Sequence, residues 1–312
     1  MPDILVTGAS GQLGTELTAA LRVRFGSENV LATGRHLPED PGPAEILDVT
    51  DVAAIEDTIG RHGIRVIYHL AARLSVVAER DPVSAWQINV DGLRNMLEAA
   101  RSSGVDRMFW PSSIAAFGPE TPRDEVPQDT VTRPTTIYGI AKVAGELLCD
   151  YYYRRYDLDV RGVRYPGVIS SGSAPGGGTT DYAVEIFYAA LAQGRYSAFV
   201  REDCRLPMIY MPDCIRAAIM LMDAAPGRLK HRNGFNLAAM SFTAGELAAE
   251  IQKHIPKFSC AFEPDERQVI ADSWPSSLDD SAARSEWDWH PEFDLAGMTA
   301  DMLATLRQKM PD

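Results

Sequence analysis

Three glycines stand at positions 8, 11 and 14, after the apolar run Ile4-Leu5-Val6 and among Leu13, Leu17 and Leu21 at four-residue spacing. The run reads as a short buried strand, and leucines four apart line one face of a helix. Glycine between them allows a tight reversal and close approach of strand to helix. A chain that opens this way needs further parallel strands to flank the first. Val30-Leu31-Ala32, Val66-Ile67-Tyr68 and Met108-Phe109-Trp110 supply them. Helices are expected over about 12–25, 51–62 and 82–103, then a long one over about 134–156 and a sixth strand in Val160-Arg161-Gly162-Val163. A short third strand is expected to end at Asp48-Val49. Strand–helix alternation at this pitch predicts an α/β fold with a doubly wound parallel sheet.

The pattern changes after Tyr165-Pro166-Gly167. Residues 170–180 are too rich in glycine for a regular element and read as a flexible loop. Beyond them a helix opens on Pro212 as a first-turn proline, and a short strand lies in Phe235-Asn236-Leu237. Thr243-x-x-Glu246 is a capping box for a further helix. Pro264–Ser285 reads as polar and irregular, and a last helix as about Leu295–Lys309. The expected division is a sheet domain over 1–165, with 205–240 possibly returning to it, and a smaller mixed α/β substrate lobe over 166–312.

The glycine spacing G-x-x-G-x-x-G is one residue wider at the first gap than the usual dinucleotide fingerprint. It meets the same needs: a tight turn, close approach of backbone to a pyrophosphate, and strand–helix packing. The helix N-terminus adds free N–H groups and the positive end of a dipole. An ordinary glycine turn is the alternative, but a first strand leading into an opening helix favours a dinucleotide and hence a Rossmann sheet. Gly8, Gly11, Gln12 and Leu13 then lie along the cofactor. The acidic residue expected for a ribose 2′-hydroxyl is missing, because the second strand ends Thr33-Gly34-Arg35. Arg35 could meet a 2′-phosphate, stack on adenine or sit in solvent, so NAD is expected with NADP not excluded. Asp48 and Val49 are candidates for the adenine edge, Asp48 being alternatively a turn or helix cap.

Tyr138 and Lys142 stand four residues apart, which puts a phenol and an ammonium on one helix face. Tyrosine ionises near pH ~10 and is a poor base at neutrality unless a nearby positive charge favours the phenolate. The pair is therefore suited to exchanging a proton with a substrate hydroxyl. A buried aromatic beside a solvated lysine is the plainer alternative.

With Asp48, Tyr68-His69-Leu70-Ala71-Ala72, Ser112-Ser113 and Tyr138-x-x-x-Lys142 in order behind the glycines, the chain resembles the extended short-chain dehydrogenase/reductase family over its whole length. Phe109–Gly118, Arg164–Gly167, Pro175–Ala183, Leu206–Asp213 and Ala271–Ser281 are similar to the bacterial short-chain-type L-threonine 3-dehydrogenases, which are themselves similar to nucleotide-sugar epimerases. The resemblance implies NAD-dependent oxidation of the C3 hydroxyl of L-threonine to 2-amino-3-oxobutanoate. It makes Tyr138 the base and has Lys142 hold the ribose and lower the tyrosine's pKa. Ser113 would bond the reacting oxygen, Ser112 being turn chemistry, while Leu70, Ala71, Ala72 and Tyr165 line the cofactor. Asn89 reads as a buried polar brace, with part of a proton relay as the alternative. Threonine is a zwitterion, so the hydroxyls of Thr179, Thr180 and Ser75 suit its carboxylate and Asp181 suits its ammonium. The family also implies a homodimer through the helices at 82–103 and 134–156, with Tyr151-Tyr152-Tyr153 either near that interface or packed in the core.

Net charge is −13 with no run of Lys and Arg, which argues against nucleic acid or an anionic membrane as partner. No 18-residue apolar stretch is present, and the chain enters a strand at Ile4 without a signal peptide. The four scattered cysteines form no C-x-x-C pair, and the histidines form no zinc motif. These features lead us to expect a cytoplasmic protein with reduced thiols and no metal. Two other functions fit the fold. A nucleotide-sugar epimerase or dehydratase would want a larger, more basic second lobe. A non-catalytic dinucleotide-binding protein would have no need of Ser113, Tyr138 and Lys142 together.

Overall fold

The computed structural model describes residues 3–37, 41–172 and 178–309. Residues 173–177 of the expected glycine-rich loop, and with them Pro175–Gly177, lie outside the described residues. The first half runs β1 (Ile4–Thr7), α1 (Gln12–Phe25), β2 (Val30–Gly34), β3 (Ala44–Ile46), α2 (Val52–His62) and β4 (Val66–His69). Then come α3 (Ser75–Arg80), α4 (Pro82–Trp86), α5 (Gly92–Ser102), β5 (Arg107–Phe109), β6 (Ser112–Ser113), α6 (Ile137–Tyr156) and β7 (Asp159–Arg161). The second half comprises β8 (Val163–Tyr165), β9 (Gly167–Ile169), α7 (Tyr182–Gln193), β10 (Arg195–Ala198), β11 (Arg205–Tyr210) and α8 (Met211–Asp223). It ends with β12 (Phe235–Asn236), β13 (Met240–Thr243), α9 (Ala244–His254), β14 (Ser259–Phe262), α10 (Arg267–Asp272), α11 (Ser281–Trp287) and α12 (Leu295–Lys309).

The main sheet has six strands in the order β3-β2-β1-β4-β5-β7, every pair parallel. Strand side chains alternate between faces. Leu5, Leu31, Ile67, Met108 and Val160 enter one cluster with residues of α2, α5 and α6. Ile4, Val6, Val30, Ala32, Tyr68 and Phe109 enter another with residues of α1 and α8. Both faces are covered by helices, so the sheet is doubly wound. The strand order reverses between β1 and β4, and ligands of such sheets bind beyond the carboxyl ends of the strands at that point.

A third core holds Phe187 of α7, Leu206 of β11, Ile251 of α9 and Met302 of α12. Segment 205–240 is shared between this core, through Leu206, Met208 and Tyr210 of β11, and the sheet domain. α8 packs on α1, and β12 pairs with β8. Trp287 and Trp289 join the core beside α8 and α1.

Several expectations need correction. The strand read over 160–163 is two strands: β7 ends the main sheet, and β8 joins β6 and β12 in another. The break is at Gly162, where a β-carbon would stand 2.1 Å from the Trp110 carbonyl oxygen. The helix read over 82–103 is interrupted by a π-helical turn at Gln87–Asp91. Asn89, within that turn, accepts from Arg73 N at 2.7 Å and donates to Arg73 O at 3.0 Å. The stretch read as irregular over 264–285 contains α10 and the start of α11. Helix α7 was unread because Tyr182-Ala183-Val184-Glu185-Ile186-Phe187 is apolar almost all round, a pattern that hides helical period.

Candidate active site

The glycine turn works through its backbone. Gly8 has φ +69°, the left-handed region that glycine enters without strain, and a β-carbon there would stand 2.7 Å from Ala71 N. At Gly14 a β-carbon would stand 2.1 Å from the Gly8 carbonyl oxygen, so α1 crosses β1 only because that residue has no side chain. Gly11 is the N-cap of α1, and no side chain bonds the first N–H groups of the helix. Those groups and the dipole end face a cavity lined by Gly11, Gln12, Leu13 and Gly14. Bare N–H donors, a positive dipole end and backbone cleared of side chains fit a pyrophosphate.

The cleft has two lobes that share Gly8, Gly11, Leu70 and Ala72 as walls. The first, about 270 Å³, adds Arg35, Asp48, Val49 and Ala71. The second, also about 270 Å³, adds Gln12, Leu13, Ser75, Ser113, Tyr138, Lys142, Tyr165, Thr179, Thr180 and Asp181. All the candidate residues from the sequence thus line one continuous cleft at the carboxyl ends of β1, β2 and β4. The Asp48 carboxylate accepts from Thr50 N at 2.9 Å and from Thr50 Oγ1 at 2.7 Å. Those donors hold its pKa below the ordinary carboxylate value. A larger groove of about 780 Å³ lies between α7, β10 and β14 and includes none of these side chains.

Helix α6 delivers the phenol and the ammonium. Thr136 caps it, its hydroxyl accepting from Gly139 N at 3.1 Å. Gly139 lets the first turn press on the Ala115 carbonyl, which would stand 2.2 Å from a β-carbon. Lys142 Nζ donates to Pro111 O at 2.6 Å and lies 5.5 Å from the centre of the Tyr138 ring. Burial pushes the Tyr138 phenol up to about 12, opposed by a hydrogen bond with Ser113. Burial brings Lys142 down to about 8, opposed by the charge of Glu146. Desolvation therefore dominates the state of both groups, and the lysine is itself desolvated and turned to a carbonyl.

The model of the NAD dependent epimerase/dehydratase family matches residues 4–238. This chain belongs to that family. Within the epimerase/dehydratase family, an uncharacterized epimerase/dehydratase of Staphylococcus haemolyticus is 48% identical over 315 residues, covering 99% of each chain. Among solved structures, an L-threonine dehydrogenase from Phytophthora infestans has 47% identity and a TM-score of 0.97 over 98% of this chain and 99% of that one. The holo form of a GalE-like L-threonine dehydrogenase from Cupriavidus necator has 50% identity and a TM-score of 0.95 over 98% and 100% of the two chains.

Other residues of this epimerase/dehydratase family member were not legible as parts of the site. Trp274 and Met211 line the second lobe although they follow the sheet domain by far in sequence. Trp274 lies in the Ala271–Ser281 string, whose resemblance was the sole signal for it. Ser10, His36 and Arg73 line the first lobe. Ser112 is no mere turn residue, since its hydroxyl donates to Glu146 Oε1 at 2.5 Å. Glu146 in turn holds Arg164 through two bonds, at 2.9 and 2.8 Å. Thr179 is fully buried, and its hydroxyl has no hydrogen-bond partner among the described residues.

Proposed function

We propose that the protein is an L-threonine 3-dehydrogenase that oxidises the C3 hydroxyl of L-threonine to 2-amino-3-oxobutanoate with NAD. One observation carries the reading: Thr179, Thr180 and Asp181 line the same lobe as Ser113, Tyr138 and Lys142. Full-length likeness to solved L-threonine dehydrogenases supports it.

The glycine turn and the start of α1 hold the pyrophosphate, Asp48 and Val49 meet the adenine, and Lys142 donates to ribose hydroxyls. When bound, the nicotinamide supplies the acceptor for the hydride leaving C3. Tyr138 takes the hydroxyl proton as the C3–O bond becomes a carbonyl, and Ser113 donates to that oxygen. A phenol held near 12 resists this step, so the phenolate depends on the Lys142 cation and the Ser113 hydroxyl, and turnover rises with pH only until Lys142 loses its proton at about 8. Thr179, Thr180 and Ser75 donate to the threonine carboxylate, and Asp181 accepts from its ammonium. Ile140, Leu147 and Tyr151 stand exposed on one face of α6, and Trp86 stands exposed on α4, which packs against α6. They form the contact through which two copies pair. The deciding assay follows NADH formation at 340 nm with L-threonine and NAD at mildly alkaline pH. No reduction there would sink the reading.

A further inference from the structure

The adenosine end of the cleft departs from what a site reserved for the unphosphorylated dinucleotide requires. In such sites a carboxylate at the end of the second strand takes the ribose 2′-hydroxyl and repels a 2′-phosphate. Here that position is Gly34, the last residue of β2. A β-carbon built on Gly34 would stand 3.3 Å from the His36 carbonyl oxygen, 3.6 Å from Ser10 Oγ and 4.0 Å from Ala9 N. A side chain at this point would therefore lean over the glycine turn, and its absence leaves room beside the Ser10 hydroxyl. Arg35, next along, lines the same lobe and is exposed. It makes no ion pair with any described residue, although its charge helps to lower the pKa of Asp48 in the same lobe. The lobe's charged walls are Arg35, Arg73 and Asp48, with His36 beside them. Asp48 is already engaged by the N–H and hydroxyl of Thr50, and Arg73 lies 3.5 Å from Asp81. Arg35 is the cation left to meet an added anion.

Resting on the dinucleotide site of the proposed function, we infer that this chain binds the 2′-phosphorylated nicotinamide dinucleotide as well as the unphosphorylated one. Gly34 provides the room, and Arg35 and the Ser10 hydroxyl contact the phosphate. Guanidinium and hydroxyl donors match a phosphate dianion, and the start of α1 nearby adds positive potential.

Direct binding tests this without turnover. NADH and NADPH are titrated by fluorescence into the full chain, and adenosine 5′-monophosphate and adenosine 2′,5′-bisphosphate compete for the same site. The expected result is NADPH within tenfold of NADH, with the bisphosphate competing at least as well as the monophosphate. Arg35→Ala and, separately, Gly34→Asp should each raise the NADPH/NADH dissociation-constant ratio at least tenfold. NADPH binding more than tenfold weaker than NADH, or a ratio unmoved by Arg35→Ala, overturns the inference. Arg35 is exposed, so that variant folds even where Gly34→Asp does not. L-threonine oxidation with NAD beside weak NADPH binding would overturn this inference alone. Failure of both dinucleotides to bind would overturn the proposed function with it.

Discussion

Glu146→Gln tests how the site's charges are supported. Glu146 and Arg164 are each more than nine-tenths buried, and the carboxylate also accepts from Ser112 at 2.5 Å. Removing one partner of a buried ion pair costs about 3–5 kcal/mol, mostly from the charge left behind. Glutamine keeps the shape and one acceptor oxygen, and Arg164 retains Gln128 O and Asn236 Oδ1, both at 3.1 Å. The low end, about 3 kcal/mol, is therefore expected, a large share of the roughly 5–15 kcal/mol that stabilises a folded protein. With a urea m-value of about 3 kcal/mol/M, the unfolding midpoint falls by about 1 M. The same substitution removes the negative charge that opposes the burial of Lys142. The lysine then loses its proton at a lower pH than about 8, and the alkaline limb of NADH binding moves to lower pH with it. Urea midpoints and NADH dissociation constants at several pH values read the two effects separately. A midpoint within about 0.3 M of the parent, equivalent to roughly 1 kcal/mol, would refute the account of the ion pair. An unmoved alkaline limb would refute the coupling to Lys142.

Tyr138→Phe should keep NADH binding and lose about 10²–10⁴-fold in threonine oxidation, and a variant that kept its rate would remove Tyr138 from proton transfer. His69 is held neutral by burial, its pKa brought down to about 3 from 6.5. The unfolded chain therefore binds the extra proton first, and stability falls as pH drops below 6.5, by about 1.4 kcal/mol per unit from this group. In His69→Gln that component disappears, so urea midpoints at pH 6.5, 5.5 and 4.5 should decline less steeply than in the parent; parallel declines would count against it. Leu147→Arg, on the exposed face of α6, should convert a dimer to a monomer by light scattering, and a parent already monomeric would refute the pairing through α6.

Much of the site could be read because its chemistry is local in sequence. Gly8, Gly11 and Gly14 sit within one turn, and Tyr138 and Lys142 within another, so spacing alone set their geometry. The protonation of that pair was not local. It follows from burial, with the Trp110 ring 4.5 Å from Lys142 and β6 packed on α6, which lifts the phenol and depresses the ammonium. Ser112 was misread for the same reason, its partner Glu146 being 34 residues away.

The sequence by itself determined the parallel strands of the first half, most of the helices that cover them and the doubly wound class of the sheet. Apolar period and glycine placement act between near neighbours, and few folds satisfy them. It did not determine where the sheet stops, because the break at Gly162 depends on a carbonyl from another strand. Nor did it determine which distant segments complete the cleft. Thr179, Met211 and Trp274 come to line one cavity with Ser113, Tyr138 and Lys142 only in the folded chain. Desolvation, too, depends on everything surrounding a group, so the state of Tyr138 and Lys142 belongs to the tertiary structure and not to their spacing.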